Sequence, residues 1–302
     1  MTNSTLTEAP PPPETAASSP GRRIDWVNTL FLAAAHTLAI AGVLYLVFVR
    51  CNPWTLALGA LWLLFCGLSI TGGYHRYFAH AAYRAHWTVR LFYALFGAAS
   101  VQNSALRWAS DHRRHHRFTD QEEDPYNIRR GFWWAHVGWI FFKAPEWSDF
   151  SNVQDLERDP ILRFQHRHYV PLALIVGLLV PSLLGLLWGD VPGTILVVAF
   201  LRLVIQYHAT FAVNSLAHML GSQPFASNDS ARDHYLTALV TFGEGYHNFH
   251  HRFPGDYRNG YAPHHYDPTK WWIWALSRVG LTSNLLKTPR ETIVKARRAA
   301  AA

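Results

Sequence analysis

Four stretches of this chain are long, apolar and free or nearly free of charge, and they constrain its fold more than any other feature. Residues 27–49 carry no charge, and a second run over 53–74 follows after only Arg50, Cys51 and Asn52. A third covers 171–189 and a fourth 191–214, the latter interrupted by Arg202. Each is near the roughly 20 residues that a helix needs to cross the hydrocarbon core of a bilayer. The connectors are so short that the first run must turn back into the second, and the third into the fourth. Mean hydropathy near zero means that these spans are interleaved with a large aqueous portion.

Charge sets the expected orientation. The connectors carry only Arg50 and Asp190, whereas segment 76–170 and both termini are basic. The positive-inside rule then predicts both termini and the central segment on the cytoplasmic side. The net charge of +7 suits anionic headgroups or an anionic substrate. Cys51 and Cys66 form no C-x-x-C pair, which excludes cysteine-ligated zinc or an iron–sulfur cluster carried by this chain alone. Residues 1–20 are rich in Pro, Ser, Thr and Ala and lack the pattern of a cleaved signal peptide, so a disordered tail is expected over 1–23.

The eighteen histidines are far from evenly spread. Nine fall in four clusters: His75 and His80 in HRYFAH, His112, His115 and His116 in HRRHH, His218 in NSLAH, and His247, His250 and His251 in HNFHH. Positions i, i+3 and i+4 share a helical face, so HRRHH and HNFHH each project three imidazoles the same way. His75 and His80, five apart, lie about 140° apart on a regular helix, which assigns them to different metals or to the two sides of a helix end. Asn214 and His218 share a face at i, i+4. Every cluster lies at the end of a span or in a polar block, so two antiparallel hairpins bring all four together. Nine imidazoles suit two ions, and nitrogen-rich ligation suits iron, zinc or copper. A single HxxHH occurs by chance on solvated surfaces; three multi-histidine clusters at the mouths of apolar spans do not. The other nine histidines, His36, His86, His136, His166, His168, His208, His234, His264 and His265, are expected to be structural.

HxxxxH, HxxHH and HxxHH in this order, between two membrane hairpins, resemble the membrane fatty-acid desaturases. The segments QNSALRWASDHRRHHRFTDQEEDPYN, RRGFWWAHVGW, AVNSLAHMLG and TFGEGYHNFHHRFPGDYRNG resemble its acyl-CoA delta-9 (stearoyl-CoA-type) branch. The similarity covers roughly residues 25–285. It implies two iron ions held by the nine clustered histidines, with Asn214 reaching one through water, and O2 as co-substrate. It implies a bent acyl tunnel shaped by Gln102, Trp108 and Thr210. The basic residues that hold the CoA phosphates in animal members have no obvious match before HRRHH, and Arg129, Arg130 and Lys143 are the alternatives. No HPGG stretch of a fused haem domain is present, so electrons must come from a separate protein, ferredoxin-like or a b-type cytochrome with an NAD(P)H reductase. The other partners are a fatty acyl-CoA or other acyl carrier and membrane lipid; nucleic acid has no role.

The expected fold is therefore all-α: four transmembrane helices in two hairpins under a cytoplasmic helical cap that carries a histidine-rich di-metal site. The desaturase domain is expected over 24–285, with cytoplasmic segments 75–170 and 215–285 and a basic C-terminal tail over 286–302. The location is a bacterial inner membrane or the endoplasmic reticulum. Ligating imidazoles usually donate their other N–H to a carboxylate, and Asp111, Asp124, Asp233 and Glu244 are the candidates. Leu63, Gly67, Thr71 and His75, spaced by four, form a stripe expected to face the acyl chain. Phe132–Trp139 is expected to anchor at the membrane interface. The expected reaction is cis desaturation of a long acyl thioester, probed against an acyl hydroxylase, an acyl-lipid desaturase and a zinc transporter or sensor. The last expects a polar route across the spans, where only Arg202, Gln206 and His208 stand.

Overall fold

The computed structural model describes residues 23–143 and 149–301. The tail expected over 1–23 lies outside them except for Arg23, whose carbonyl accepts the Lys143 N–H at 2.9 Å. Four helices are long and apolar enough to cross a membrane: Trp26–Phe48, Pro53–Ala79, Tyr169–Trp188 and Val191–His218. The second and fourth run past the apolar stretches read from the sequence, because packing around HRYFA and NSLAH carries the helices into polar sequence. Capping starts three of them: Asp25 accepts the Asn28 N–H, Asn52 those of Trp54 and Thr55, and Asp190 that of Gly193. The first span packs along the fourth, and the second packs on it too.

The two hairpins are clasped at their connectors. The buried Asp190 carboxylate accepts hydrogen bonds from Tyr45 Oη at 2.5 Å and Thr55 Oγ1 at 2.5 Å, while Arg50 donates to the Gly189 carbonyl at 2.7 Å. The one acid and the one base of the two connectors thus tie both hairpins together at the end away from the histidines.

At the histidine end, helices Trp87–Ala98, Ala105–Arg117, Pro160–Arg167 and Pro268–Arg278 enclose a core of Tyr74, Phe78, Tyr93, Leu106, Leu162 and Ile273. Two glycines make this contact possible. A Cβ on Gly73 would lie 2.5 Å from the Tyr93 ring, and one on Gly97 2.2 Å from the Tyr74 ring. The second span and the helix beside it therefore interlock tyrosine against glycine in both directions. Strands are minimal: Arg84–Ala85 pairs antiparallel with Thr282–Ser283. The basic C-terminal segment contains a helix, Arg290–Ala301, that buries Ile293 and Ala296. Ile293 joins Phe225 and Phe249 behind the HNFHH helix, His247–Arg252. Burying such a side chain contributes on the order of 2 kcal/mol.

Candidate metal centre

The four clusters converge into two groups whose ring nitrogens lie within 4.8 Å of one another: His75, His80, His112, His116 and His250, and His115, His218, His247 and His251. His75 and His80 belong to the same group, not to different ones. Residues Ser69–Ala79 are π-helical and His80 is the capping residue, its N–H bonding the His75 carbonyl at 3.2 Å. Bonding from i to i+5 brings residues five apart to one side, a turn type that recurs at functional sites.

The two HxxHH helices contribute in opposite ways. In Ala105–Arg117, His112 and His116 face the five-histidine group while His115 faces the other; in His247–Arg252, His247 and His251 face the four-histidine group and His250 crosses over. Residues i and i+4 lie 40° apart on a helix, whereas i+3 lies 60° to the opposite side of i. Each helix therefore sends its i, i+4 pair to one group and its i+3 residue to the other.

The donor set fits cations. The His250 Nε2 lies 2.9 Å from both His75 Nε2 and His116 Nε2, and the Nε2 atoms of His80 and His112 are 2.8 Å apart. His75 Nδ1 sits 2.7 Å from Glu244, and His115 Nδ1 2.9 Å from Asp124, so in the neutral rings the proton is on Nδ1 and Nε2 is bare. His218 Nε2 is buried with no hydrogen-bond partner. Burial first, and then neighbouring imidazoles, hold His80, His112, His116, His247, His250 and His251 well below the ordinary histidine range. Crowded, buried, neutral rings with converging lone pairs are what an imidazole-ligated metal requires.

Two of the four expected carboxylates hydrogen-bond clustered imidazoles. Glu244 holds His75 and is itself held by Arg76 at 2.8 Å and Asn259 at 2.6 Å, with Asp267 on the other side of Arg76 at 3.0 Å. Burial tends to raise the Glu244 carboxyl, but His75 and Arg76 outweigh it and the net shift is downward. Asp124 holds His115. Asp233 does not touch an imidazole: it accepts the Phe249 backbone N–H at 3.1 Å, and burial pushes it up to about 7. Asp111 stands beside Arg107 at 3.9 Å, one turn along its own helix. Sequence reasoning passed over Asp229, 3.5 Å from His251 Nδ1, and over Ser230, whose Oγ lies 2.8 Å from His218 Nδ1. Neither sits beside a clustered histidine in the sequence; only the loop that follows NSLAH brings them back.

A cavity of about 610 Å³, counting its mouth, adjoins both groups; Gly67, Ile70, Thr71, Trp108, Thr210 and Phe242 are among its walls, with His75, His112, His115, His247 and Asn214. Trp108 stacks on the His112 ring at 4.9 Å between centroids. Gln102 stands behind the wall and donates to Thr210 Oγ1 at 3.0 Å. Leu63 is not part of the wall. Arg129, Arg130 and Lys143 do not line it either: Arg129 and Lys143 are exposed, and Arg130 pairs with Glu122 and stacks over Trp134. Within Phe132–Trp139, Trp133 is 73% exposed, while Trp139 turns inward onto Tyr126, which touches the His115 ring. His36, His208 and His136 form a separate hydrogen-bonded row across three helices, with N···N distances of 3.2 and 3.1 Å.

Four apolar spans and two buried imidazole groups beside an apolar cavity define a multi-pass membrane protein with a candidate two-metal site. Residues 52–280 match the family described as "Fatty acid desaturase", and the chain belongs to that family. It is 46% identical over 276 residues to "Probable acyl-CoA desaturase" of Schizosaccharomyces pombe, covering 91% of this chain and 57% of that protein. It is 40% identical over 241 residues to "Acyl-CoA Delta12-desaturase" of Acheta domesticus, covering 78% of this chain and 67% of that protein. It is 33% identical over 282 residues to the human "Stearoyl-CoA desaturase", covering 91% of this chain and 78% of that protein. The chain thus spans little more than half the length of the fission-yeast relative.

Proposed function

We propose that this protein is a di-iron, O2-dependent desaturase that introduces a cis double bond into a long-chain fatty acyl-CoA, at delta-9 of a saturated chain. The observation that carries this reading is the pairing of two buried imidazole groups with an apolar cavity that reaches both. The nine clustered histidines would hold the two irons, with Asn214 beside them on the cavity wall. Bound iron supplies the four-electron reduction of O2 that an unactivated C–H bond requires. The balance is –CH2–CH2– + O2 + two electrons + two protons giving –CH=CH– + two waters, the electrons coming from a separate donor protein.

The chain's own residues position and exclude. Trp108, Thr210 and Gly67 line the cavity and hold two adjacent methylenes of the acyl chain near the imidazoles. Gln102, by holding Thr210, fixes the wall behind the bend. Glu244 and Asp124 keep Nδ1 of His75 and His115 protonated so that Nε2 presents its lone pair. The positive-inside pattern supports cytoplasmic termini and a cytoplasmic metal end.

The test is turnover of stearoyl-CoA by the purified, iron-loaded protein with an NAD(P)H-driven electron donor. A product lighter by two hydrogens, with its double bond at delta-9, is expected. A product heavier by one oxygen would make the protein a hydroxylase, and a bond at another carbon would correct the position alone.

A further inference from the structure

Of the four histidines in the smaller group, His218 alone is held by a hydroxyl rather than a carboxylate or a neighbouring ring. Its Nδ1 lies 2.8 Å from Ser230 Oγ, and Ser230 Oγ lies 2.5 Å from Asp120 Oδ1. The other Asp120 oxygen accepts the Ser230 backbone N–H at 2.8 Å. Asp120 also donates its own backbone N–H to Asp124 Oδ2 at 3.1 Å, and Asp124 holds His115. Two ligands from segments about a hundred residues apart in sequence, His115 and His218, are thus joined through one short chain of atoms, with Asp120 at its centre.

Counting protons fixes the direction of this chain. Ser230 Oγ donates to Asp120 Oδ1, so its single hydroxyl hydrogen is committed there. Ser230 Oγ can then only accept from the imidazole, which places the proton of neutral His218 on Nδ1. Nε2 is left bare, and it is this atom that is buried without a partner beside His115, His247 and His251. Asp120 is 7% exposed and adopts φ 65°, a left-handed conformation in which Asp and Asn are among the few tolerated side chains. A residue chosen for the turn alone would more cheaply be glycine; the carboxylate is what the turn delivers.

We infer that Ser230 and Asp120 are positioning residues that fix the tautomer and direction of His218, and through Asp124 couple it to His115, so that the four-histidine metal position is built as one unit. The inference rests on the two-iron reading above. Its consequence is selective: disturbing the relay weakens one ion and leaves the five-histidine position filled. Outer partners of this kind typically change metal affinity about 10–100-fold.

The experiment compares the full-length wild type with Ser230→Ala, Ser230→Thr and Asp120→Asn, each purified and titrated with ferrous iron. Iron per chain, the iron Mössbauer spectrum and the thermal midpoint of the metal-free protein are read for each. The wild type is expected to bind two ions. Ser230→Ala and Asp120→Asn are expected to bind the second about 10–100-fold more weakly, so that at limiting iron one spectral component remains. Ser230→Thr, which keeps the hydroxyl, is expected to restore it, and the metal-free midpoints are expected to be unchanged. Two tight ions with an unaltered spectrum in Ser230→Ala would overturn the inference. So would equal loss of both ions with a lowered metal-free midpoint, because that marks packing rather than positioning. A wild type that fails to bind two ions would bring down the two-iron reading itself.

Discussion

The two histidine groups share the two HxxHH helices and are backed by different electrostatics. Behind the five-histidine group, the carboxylates Glu244 and Asp267 sandwich the buried Arg76 guanidinium, and Asn259 shares the other Glu244 oxygen with His75. Behind the four-histidine group stand Asp120, Asp124 and Asp229, none of which has an Arg or Lys within 4.0 Å among the described residues. Burial and the neighbouring Asp120 charge raise the Asp229 carboxyl, as expected where acids gather without a cation. The two groups therefore differ in what surrounds them: one is enclosed in a compensated ion network that also holds the fold, the other stands beside acids that no Arg or Lys among the described residues pairs.

Single ligand removal is the harshest way to break this comparison. His250→Ala in one group and His218→Ala in the other are each expected to reduce turnover to background and to lower bound iron from two toward one per chain. The two variants should retain different Mössbauer components. Full activity in either one would remove that residue from the metal set.

The supporting networks should separate next. Arg76 is 1% exposed between two acids, and deleting one partner of a buried pair costs about 3–5 kcal/mol. Arg76→Ala is therefore expected to lower the thermal midpoint of the metal-free protein markedly. Asp124→Asn, with no buried cation to strand, is expected to lower iron affinity about 10–100-fold with far less change in that midpoint. Equal thermal losses in both variants would erase the distinction between the two regions.

Acid sharpens the comparison further. Six clustered histidines outside the spans have folded values held below the ordinary one near 6.5, chiefly by burial. Below about pH 6.5 the unfolded chain takes up protons that the folded chain refuses, so stability is full above that pH and declines as the pH falls toward the depressed folded values. Metal release should follow the same direction, because protons compete for the same nitrogens. Iron retention after dialysis between about pH 7.5 and 5 measures it; retention that improves on acidification would contradict the sign.

Smaller effects are expected away from the ligands. A Cβ on Gly67 would lie 2.6 Å from the Phe242 ring, and both residues line the cavity. Gly67→Ala is expected to push that ring into the cavity and shift preference toward shorter acyl chains, with bound iron unchanged. A uniform loss across chain lengths would make Gly67 a helix-packing residue. Smallest of all, His264→Ala and His265→Ala should leave bound iron at the wild-type value. His265 stacks on Tyr246 at 4.5 Å and lies outside both groups.

Much of this was legible in sequence because it depends on short-range periodicity. Four apolar runs of span length, the three-residue and four-residue histidine spacings and the NSLAH cluster required only helix geometry to be read. The histidine boxes and the segments around them carried the family resemblance, which the match over 52–280 bears out. What the tertiary structure alone decided is which histidine joins which group. The π-helical turn at Ser69–Ala79 moved His80 beside His75, and the two HxxHH helices exchange their i+3 residues across the site. The choice of carboxylates was likewise tertiary. Asp233, near a cluster in sequence, serves a backbone contact, while Asp120, Asp229 and Ser230 arrive through loops. Helical periodicity fixes directions within one element to a few tens of degrees. The positions of separate elements depend on how Gly73 and Gly97 admit the facing tyrosines and how Arg76 is buried, and these are contacts between residues far apart in the chain.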